Sequence, residues 1–311
     1  MAEVLRAGVI GAGVFGGYHA QKYAALPGVV LAGVYDHHAV HAEALAAKVG
    51  GRVFASEEEL IASVDVVSIA TPATAHACAA IAALEAGKAV YVEKPLAADP
   101  EDAARIAELA AKTGVVAACG FLERVGLQAM GLFDAPERPT LLEAVRVNAP
   151  NPRNLDVSVV LDVMIHDVDL ALALGEGDPA TVEADGAAVA NATLDRVDAE
   201  VEFESGFIAR FRASRIADGP ERTLRVVYPS GEVRVDFMTH AVVNSTPFAL
   251  DLHFAEAPAA RDKLGASLAA FIAAVRGARA APLASARDGA RALDLALAVE
   301  GALIQQGLVR G

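Results

Sequence analysis

The sequence predicts an α/β chain in two parts. Residues 1–120 read as a doubly wound parallel sheet, and residues 121–311 as an α+β domain with a large, mainly antiparallel open sheet. Three observations predict this. In the first part, short continuous apolar runs alternate with helix-spaced segments, the pattern of parallel strands joined by crossover helices. In the second, alternating runs dominate, such as V-E-F-E at 201–204 and A-R-F-R-A-S-R at 209–215, which mark strands with one wet face. A chain of 311 residues also exceeds what one small core serves.

Strands are expected at 5–10, 29–35, 64–70, 89–93 and 115–119, with helices at 15–26, 39–49, 57–61, 74–86 and 100–112. Start and stop signals agree. Ser56 with Glu59 forms a capping box, Asp99-Pro100 reads as N-cap and first helical residue, and Gly50, Gly87 and Gly114 sit where helices end. The boundary is expected at 120–124. Beyond it, strands are expected at 141–147, 181–187, 199–203, 207–213, 223–228 and 232–237, with Ala-rich helices at 262–275 and 285–304.

Composition narrows the function classes. The chain is 54% hydrophobic, which argues a packed globular protein. A formal net charge of −14 disfavours nucleic acid and anionic membrane as partners. No apolar run of membrane-spanning length lacks a charge, Gly or Pro, and the acid-bearing start enters a strand at once, so neither a membrane span nor a signal peptide is expected. Cys78 and Cys119 lie outside any Cys-x-x-Cys pattern and are expected as buried, reduced thiols in a cytoplasmic protein.

The chemistry concentrates at strand ends. Gly11-Ala-Gly13-Val14-Phe15-Gly16 follows a strand and opens a helix. Gly11 suits the tight turn, Gly13 admits a pyrophosphate to the backbone, and Gly16 lets helix and strand pack closely. Asp36 ends the second strand, where a carboxylate bonds the adenosine ribose and repels a 2′-phosphate. The reading is dinucleotide binding, NAD in preference to NADP. His37, His38 and His41 follow; a metal site there is not expected. Thr71-Pro72 ends the third strand, and Glu93-Lys94-Pro95 ends the fourth. Beside a nicotinamide, a lysine gives or takes a proton as hydride moves. Taken alone, Lys94 reads as a surface lysine.

The apolar helix expected at 159–172 carries Asp162, His166, Asp167 and Asp169. Unpaired buried charge is costly, so these groups need partners or a cavity. On a helical period Asp162, His166 and Asp169 share a stripe facing a cavity, and Asp167 points elsewhere, to another element or to solvent. An imidazole suits proton removal near neutral pH. Arg124 and Arg153 are candidates for a diphosphate, because a guanidinium pairs two oxygens at once.

Four motifs together carry a resemblance: G-A-G-V-F-G, A-T-P-x-x-x-H at 70–76, E-K-P at 93–95 and D-x-x-x-H at 162–166. In that order the chain resembles the glucose–fructose oxidoreductase, inositol dehydrogenase and MocA family. The resemblance implies a Rossmann domain, His76 among the cofactor-binding residues, and a CH–OH dehydrogenase in which Lys94 and His166 share the proton transfer. It is taken here with His166 as base, Lys94 stabilising the alkoxide and Asp162 supporting either the imidazole or the substrate. A homodimer or homotetramer through the open sheet is implied too. L-D-V-M-I-H-D-V-D at 161–169, with Glu123-Arg124, Ala149-Pro150 and Pro152-Arg153, is similar to a bacterial subgroup of nucleotide-sugar dehydrogenases. Members oxidise the 3-hydroxyl of UDP-N-acetylglucosamine. Phe121 and Val125-Gly126 depart from that subgroup on the substrate side. A free aldose, inositol or trans-diol is the alternative substrate, and a non-catalytic NAD-binding sensor the alternative class.

Overall fold

The computed structural model describes residues 4–151 and 157–305. Two compact units emerge, residues 1–125 with 258–290, and residues 126–257 with 291–311.

The first unit begins β1 (Leu5–Ile10), α1 (Val14–Ala25), β2 (Val29–Tyr35), α2 (Ala39–Val49), β3 (Arg52–Val53), α3 (Glu57–Ser63) and β4 (Val66–Ile69). It continues through α4 (His76–Glu85), β5 (Ala89–Val92), α5 (Pro100–Thr113) and β6 (Ala117–Cys119). The described strands form a parallel sheet in the order β3-β2-β1-β4-β5-β6. Every residue of β4 and β5 is buried, as parallel strands covered on both faces require. The strand order reverses between β1 and β4, where such sheets bind ligands at the carboxyl ends. The caps behave as their residues dictate. Asp99 accepts from the amides of Glu101 and Asp102, and Ser56 accepts from Glu59. Gly114 ends α5 in the left-handed region at φ 70°.

After α6 (Glu123–Met130), the second unit contains β7 (Leu141–Val147), α7 (Ile165–Leu174), β8 (Pro179–Ala187), β9 (Arg196–Phe203) and β10 (Ile208–Ser214). β11 (Glu221–Tyr228), β12 (Gly231–Asp236) and β13 (Val242–Asn244) complete its sheet. The order is β13-β12-β11-β7-β10-β9-β8, antiparallel except for the pair β7–β10. Along β10, Ala209, Phe211 and Ala213 point inward while Arg210 and Arg212 stay exposed. The outer face is a lattice of ion pairs, with Arg210 on Glu200 at 2.6 Å, Arg212 on Asp198 at 2.7 Å and Arg225 on Glu143 at 2.6 Å. A concavity of about 1170 Å³ lies there, and none of the candidate catalytic residues line it.

The chain closes with α8 (Pro258–Arg261), α9 (Lys263–Val275) and α10 (Ala286–Gln305). Here the structure departs from a linear division at 120/121, because residues 258–290 return to the first unit. α9 buries Leu264, Leu268, Phe271 and Ile272 in the same core as Ala7, Val9, Val34 and Tyr91. Its Ser267 hydroxyl lies 2.9 Å from Tyr91 Oη. An Ala-rich apolar helix announces burial but not which sheet it covers, so the sequence carries no sign of this return. Cys78 also differs from expectation. Cys119 is buried, but Cys78 is exposed, on the side of α4 opposite its buried residues Ala77, Ala80, Ile81 and Leu84.

Candidate active site

The cofactor cradle is built by the turn from β1 into α1. Gly11 has φ 96°, and a Cβ there would lie 2.7 Å from the Ala70 carbonyl. A Cβ on Gly16 would fall 1.7 Å from the Gly11 carbonyl oxygen, so the helix can approach the strand only with glycine at that position. At Gly13 a Cβ would meet nothing within 4 Å, which leaves open space beside the backbone. α1 has no side-chain cap and no acid in its first turn, so its amides and positive dipole end are available to an anion. Val14 and Phe15 flank this opening and are exposed.

Asp36 stands at the end of β2. Its Oδ2 accepts from the Ala12 amide at 2.7 Å and its Oδ1 from the His38 amide at 2.8 Å. Burial alone would raise its carboxyl. The amides of Ala12 and His38, with the imidazoles of His41 and His38, outweigh that and hold it below the usual carboxylate range. His37, His38 and His41 are exposed. No group of three or more His, Cys, Asp or Glu that could hold a metal occurs among the described residues.

At the carboxyl end of β4, the Thr71 hydroxyl is buried with no hydrogen-bond partner among the described residues. Such an orphan is costly unless a ligand satisfies it. Open space beside Gly13, a bare helix terminus, an anchored carboxylate and an orphan hydroxyl together fit a dinucleotide. His76 is 1% exposed and stands between two motifs: Nδ1 lies 2.8 Å from the Pro95 carbonyl and Nε2 lies 2.9 Å from the Thr71 carbonyl, and burial favours the neutral ring, which donates to one of them. Pro72 is exposed and caps the short turn before α4. Glu93 and Lys94 are half-buried just past β5, and Glu93 Oε1 lies 2.8 Å from His19 Nε2.

The D-x-x-x-H segment lies in the second unit. Val160–Met164 forms a π turn, with the Ile165 amide bonded to the Val160 carbonyl, and α7 continues from it. Ser158 caps the start, accepting from the amides of Val160 and Leu161, and its hydroxyl donates to Glu300. Val159, Val160, Met164, Ile165, Val168 and Leu170 are fully buried, whereas Asp162 and His166 remain half-exposed. Asp169 is fully buried and does not share their exposure.

Asp167 takes the inter-element role. It is 5% exposed and receives Arg146 of β7 from Nε at 3.0 Å and Nη2 at 2.8 Å. Removing one partner leaves an uncompensated buried charge. Asp167→Ala should therefore cost about 3–5 kcal/mol of stability in denaturant titrations, and a loss below about 1 kcal/mol would contradict that role.

Arg124 is engaged within its own unit. It is 6% exposed, donates to the Leu283 carbonyl at 2.9 Å and pairs with Asp288 at 3.4 Å. Arg153 lies outside the described residues. Sequence reasoning missed His19, Arg146 and Ser158. The signal for His19 was its place on α1, three residues after Gly16 and four before Tyr23, on the face that is buried.

Comparisons with known proteins converge on one family. Residues 5–121 match the oxidoreductase family with an NAD-binding Rossmann fold, and residues 143–234 match the GFO/IDH/MocA C-terminal domain. The UDP-N-acetylglucosamine 3-dehydrogenase of Acidithiobacillus ferrooxidans is 38% identical over 76% of this chain and 76% of its own. A solved structure of that enzyme superposes with a TM-score of 0.88, covering 97% of this chain and 98% of the other. The inositol 2-dehydrogenase of Mycolicibacterium smegmatis is 35% identical over 57% of this chain and 55% of its own. The chain therefore belongs to the GFO/IDH/MocA family of NAD-binding oxidoreductases.

Proposed function

We propose that this dehydrogenase acts on a ring hydroxyl of a nucleotide sugar, C3 of a UDP-N-acetylhexosamine. The observation that carries it is the pair Asp162 and His166, left half-exposed together with Leu161 and Val163 in a segment whose other apolar residues, Val159, Val160, Met164, Ile165, Val168 and Leu170, are fully buried. The substrate class rests on the likeness to UDP-N-acetylglucosamine 3-dehydrogenase. Bound NAD supplies the hydride acceptor. The residues do the rest. His166 takes the hydroxyl proton, Asp162 orients the imidazole or the substrate, and Lys94 stabilises the negative charge that grows on the oxygen. Arg124 belongs to the support of its own unit in this reading, and Arg153 keeps the diphosphate role.

Asp36 sets the cofactor preference. Its lowered carboxyl stays anionic into mildly acidic pH, so repulsion of a 2′-phosphate persists there. Asp36→Ser should weaken NAD about tenfold and shift the NADP-to-NAD affinity ratio by on the order of 10²-fold toward NADP. Isothermal titration with both cofactors checks this, and an unchanged ratio would remove the role.

The second reading, a free inositol or aldose, is favoured by the inositol dehydrogenase likeness. A panel of UDP-sugars, inositols and aldoses, followed by NADH absorbance, separates the two. Turnover on UDP-N-acetylglucosamine supports the first reading. Turnover confined to inositols or aldoses replaces it with the second, and NAD binding without turnover on any of them indicates a sensor. A cytoplasmic homodimer or homotetramer assembled through the outer face of the second sheet belongs to the same proposal. Among the described residues no helix is long and apolar enough to cross a membrane.

A further inference from the structure

Lys94 sits between two residues that are each tied down by a buried imidazole. On one side is Glu93, whose Oε1 lies 2.8 Å from His19 Nε2. On the other is Pro95, whose carbonyl lies 2.8 Å from His76 Nδ1. His19 is fully buried and His76 is 1% exposed. We infer that His19 and His76 are positioning residues that hold Lys94 in register with the bound cofactor, an inference that rests on Lys94 serving the proton transfer.

The two histidines come from different cofactor-binding elements. His19 belongs to α1, the helix whose N-terminus forms the phosphate cradle. Its Nδ1 lies 2.9 Å from Ser68 Oγ, and Ser68 Oγ lies 2.8 Å from Tyr23 Oη. Burial raises the Tyr23 hydroxyl, so Tyr23 keeps its proton and donates. Ser68 then donates to Nδ1, and Nε2–H donates to Glu93; each proton has one acceptor and each acceptor one proton. The His19 ring also stands edge-on to Tyr91, with centroids 5.3 Å apart. Gly120 closes the far side of Glu93, where a Cβ would lie 3.0 Å from Oε2. The carboxylate therefore has one seat.

His76 works differently. Both of its nitrogens face backbone carbonyls, those of Pro95 and Thr71, so neither is left to bind a ligand. Burial favours its neutral form, which has one N–H, so it donates to one of the two carbonyls and packs between the Lys94-Pro95 peptide and the turn that carries the orphan Thr71 hydroxyl. One histidine thus ties the lysine segment to α1, and the other is wedged between that segment and the β4 turn. Misplacing a catalytic group by about 1 Å from a distant position costs up to about 10²-fold in rate.

The test compares wild type with His19→Leu, His19→Gln, His76→Leu and the double variant Ser68→Ala with Tyr23→Phe. It measures kcat and KM with UDP-N-acetylglucosamine and NAD affinity by calorimetry. It also follows acylation of Lys94 by an amine reagent, read by peptide mass spectrometry with and without NAD. The Leu variants should lower kcat by about 10–100-fold while KM and NAD affinity change by less than about threefold. NAD should protect Lys94 in wild type and protect it less in the Leu variants. His19→Gln, which keeps an N–H toward Glu93, should recover most of the rate. Wild-type kcat and protection in both Leu variants overturns the inference. So does a rate loss that tracks lost NAD affinity, or a Gln variant no better than Leu. If the Leu variants do not fold, Ser68→Ala with Tyr23→Phe, which unseats Nδ1 and leaves no orphaned Tyr23 hydroxyl, decides: a several-fold fall in kcat supports the inference and wild-type behaviour overturns it. The acylation arm needs no sugar. Wild type that protects Lys94 yet turns over no nucleotide sugar therefore sinks the substrate reading and leaves this one to be judged on protection. Lys94 unprotected in wild type overturns the positioning itself.

Discussion

Replacing Lys94 or His166 with alanine should lower kcat by about 10²–10⁴-fold, the range that a positioned acid or base contributes. NAD affinity should change little, because the cradle of Gly11, Gly13 and Gly16 and the Asp36 anchor do not depend on either side chain. The fold should also persist. Both residues are half-exposed, so neither truncation opens a sealed core. The two variants should differ in pH dependence. With His166 gone, hydroxide can replace the base and the residual rate should climb with pH; with Lys94 gone, the oxygen loses a cationic partner and that recovery should be weaker. Pre-steady-state bursts of NADH with the nucleotide sugar read the chemical step directly. Wild-type turnover in either variant would remove that residue from the chemistry.

Gly13→Ala and Gly16→Ala should fail in opposite ways. At Gly16 the new methyl would sit 1.7 Å from the Gly11 carbonyl oxygen, and backbone has no room to yield. Helix and strand must separate, so stability should fall by several kcal/mol along with NAD binding. At Gly13 the methyl meets no protein atom within 4 Å and the backbone φ of −72° suits alanine. That variant should be as stable as wild type, or up to about 1 kcal/mol more stable through its less flexible unfolded chain. The methyl would instead occupy the open space proposed for the pyrophosphate, and NAD affinity should drop by on the order of 10²-fold. Thermal melts and calorimetry on both variants check the pair. Equal stability losses at both positions would mean that the gap beside Gly13 is not a phosphate site.

The first sheet was readable because its signals are local. Continuous apolar runs placed β1 and β2 at their observed bounds, and Ser56, Asp99 and Gly114 mark their helix ends by chemistry that acts within one turn. β7 was equally plain from its apolar pattern. β3 and β13 were missed, being two and three residues long, too short for any period to show. The return of α9 to the first core is a non-local pairing of apolar faces, and nothing within the helix names its partner. At the site, motif spacing pointed to Lys94, Asp162 and His166, and the helical period set Asp167 on a different face from them. Asp167 pairs with Arg146 and Asp169 is fully buried; the partner of a buried acid lies on another element, which spacing within one helix does not name. His19 was invisible for a related reason. A lone histidine on an apolar helix acquires meaning only when the fold sets Ser68 against one nitrogen and Glu93 against the other.

The central claim is that hydride leaves C3 of a nucleotide sugar for NAD in a reaction served by Lys94 and His166. UDP-N-acetylglucosamine carrying deuterium at C3 tests it most directly, with the reduced cofactor analysed by mass spectrometry. The account predicts reduced cofactor one mass unit heavier than that from unlabelled sugar, with the label retained in wild type and its formation suppressed in the Lys94 and His166 variants. Unlabelled NADH formed from the deuterated sugar, or no reduction of NAD by it, would contradict the account.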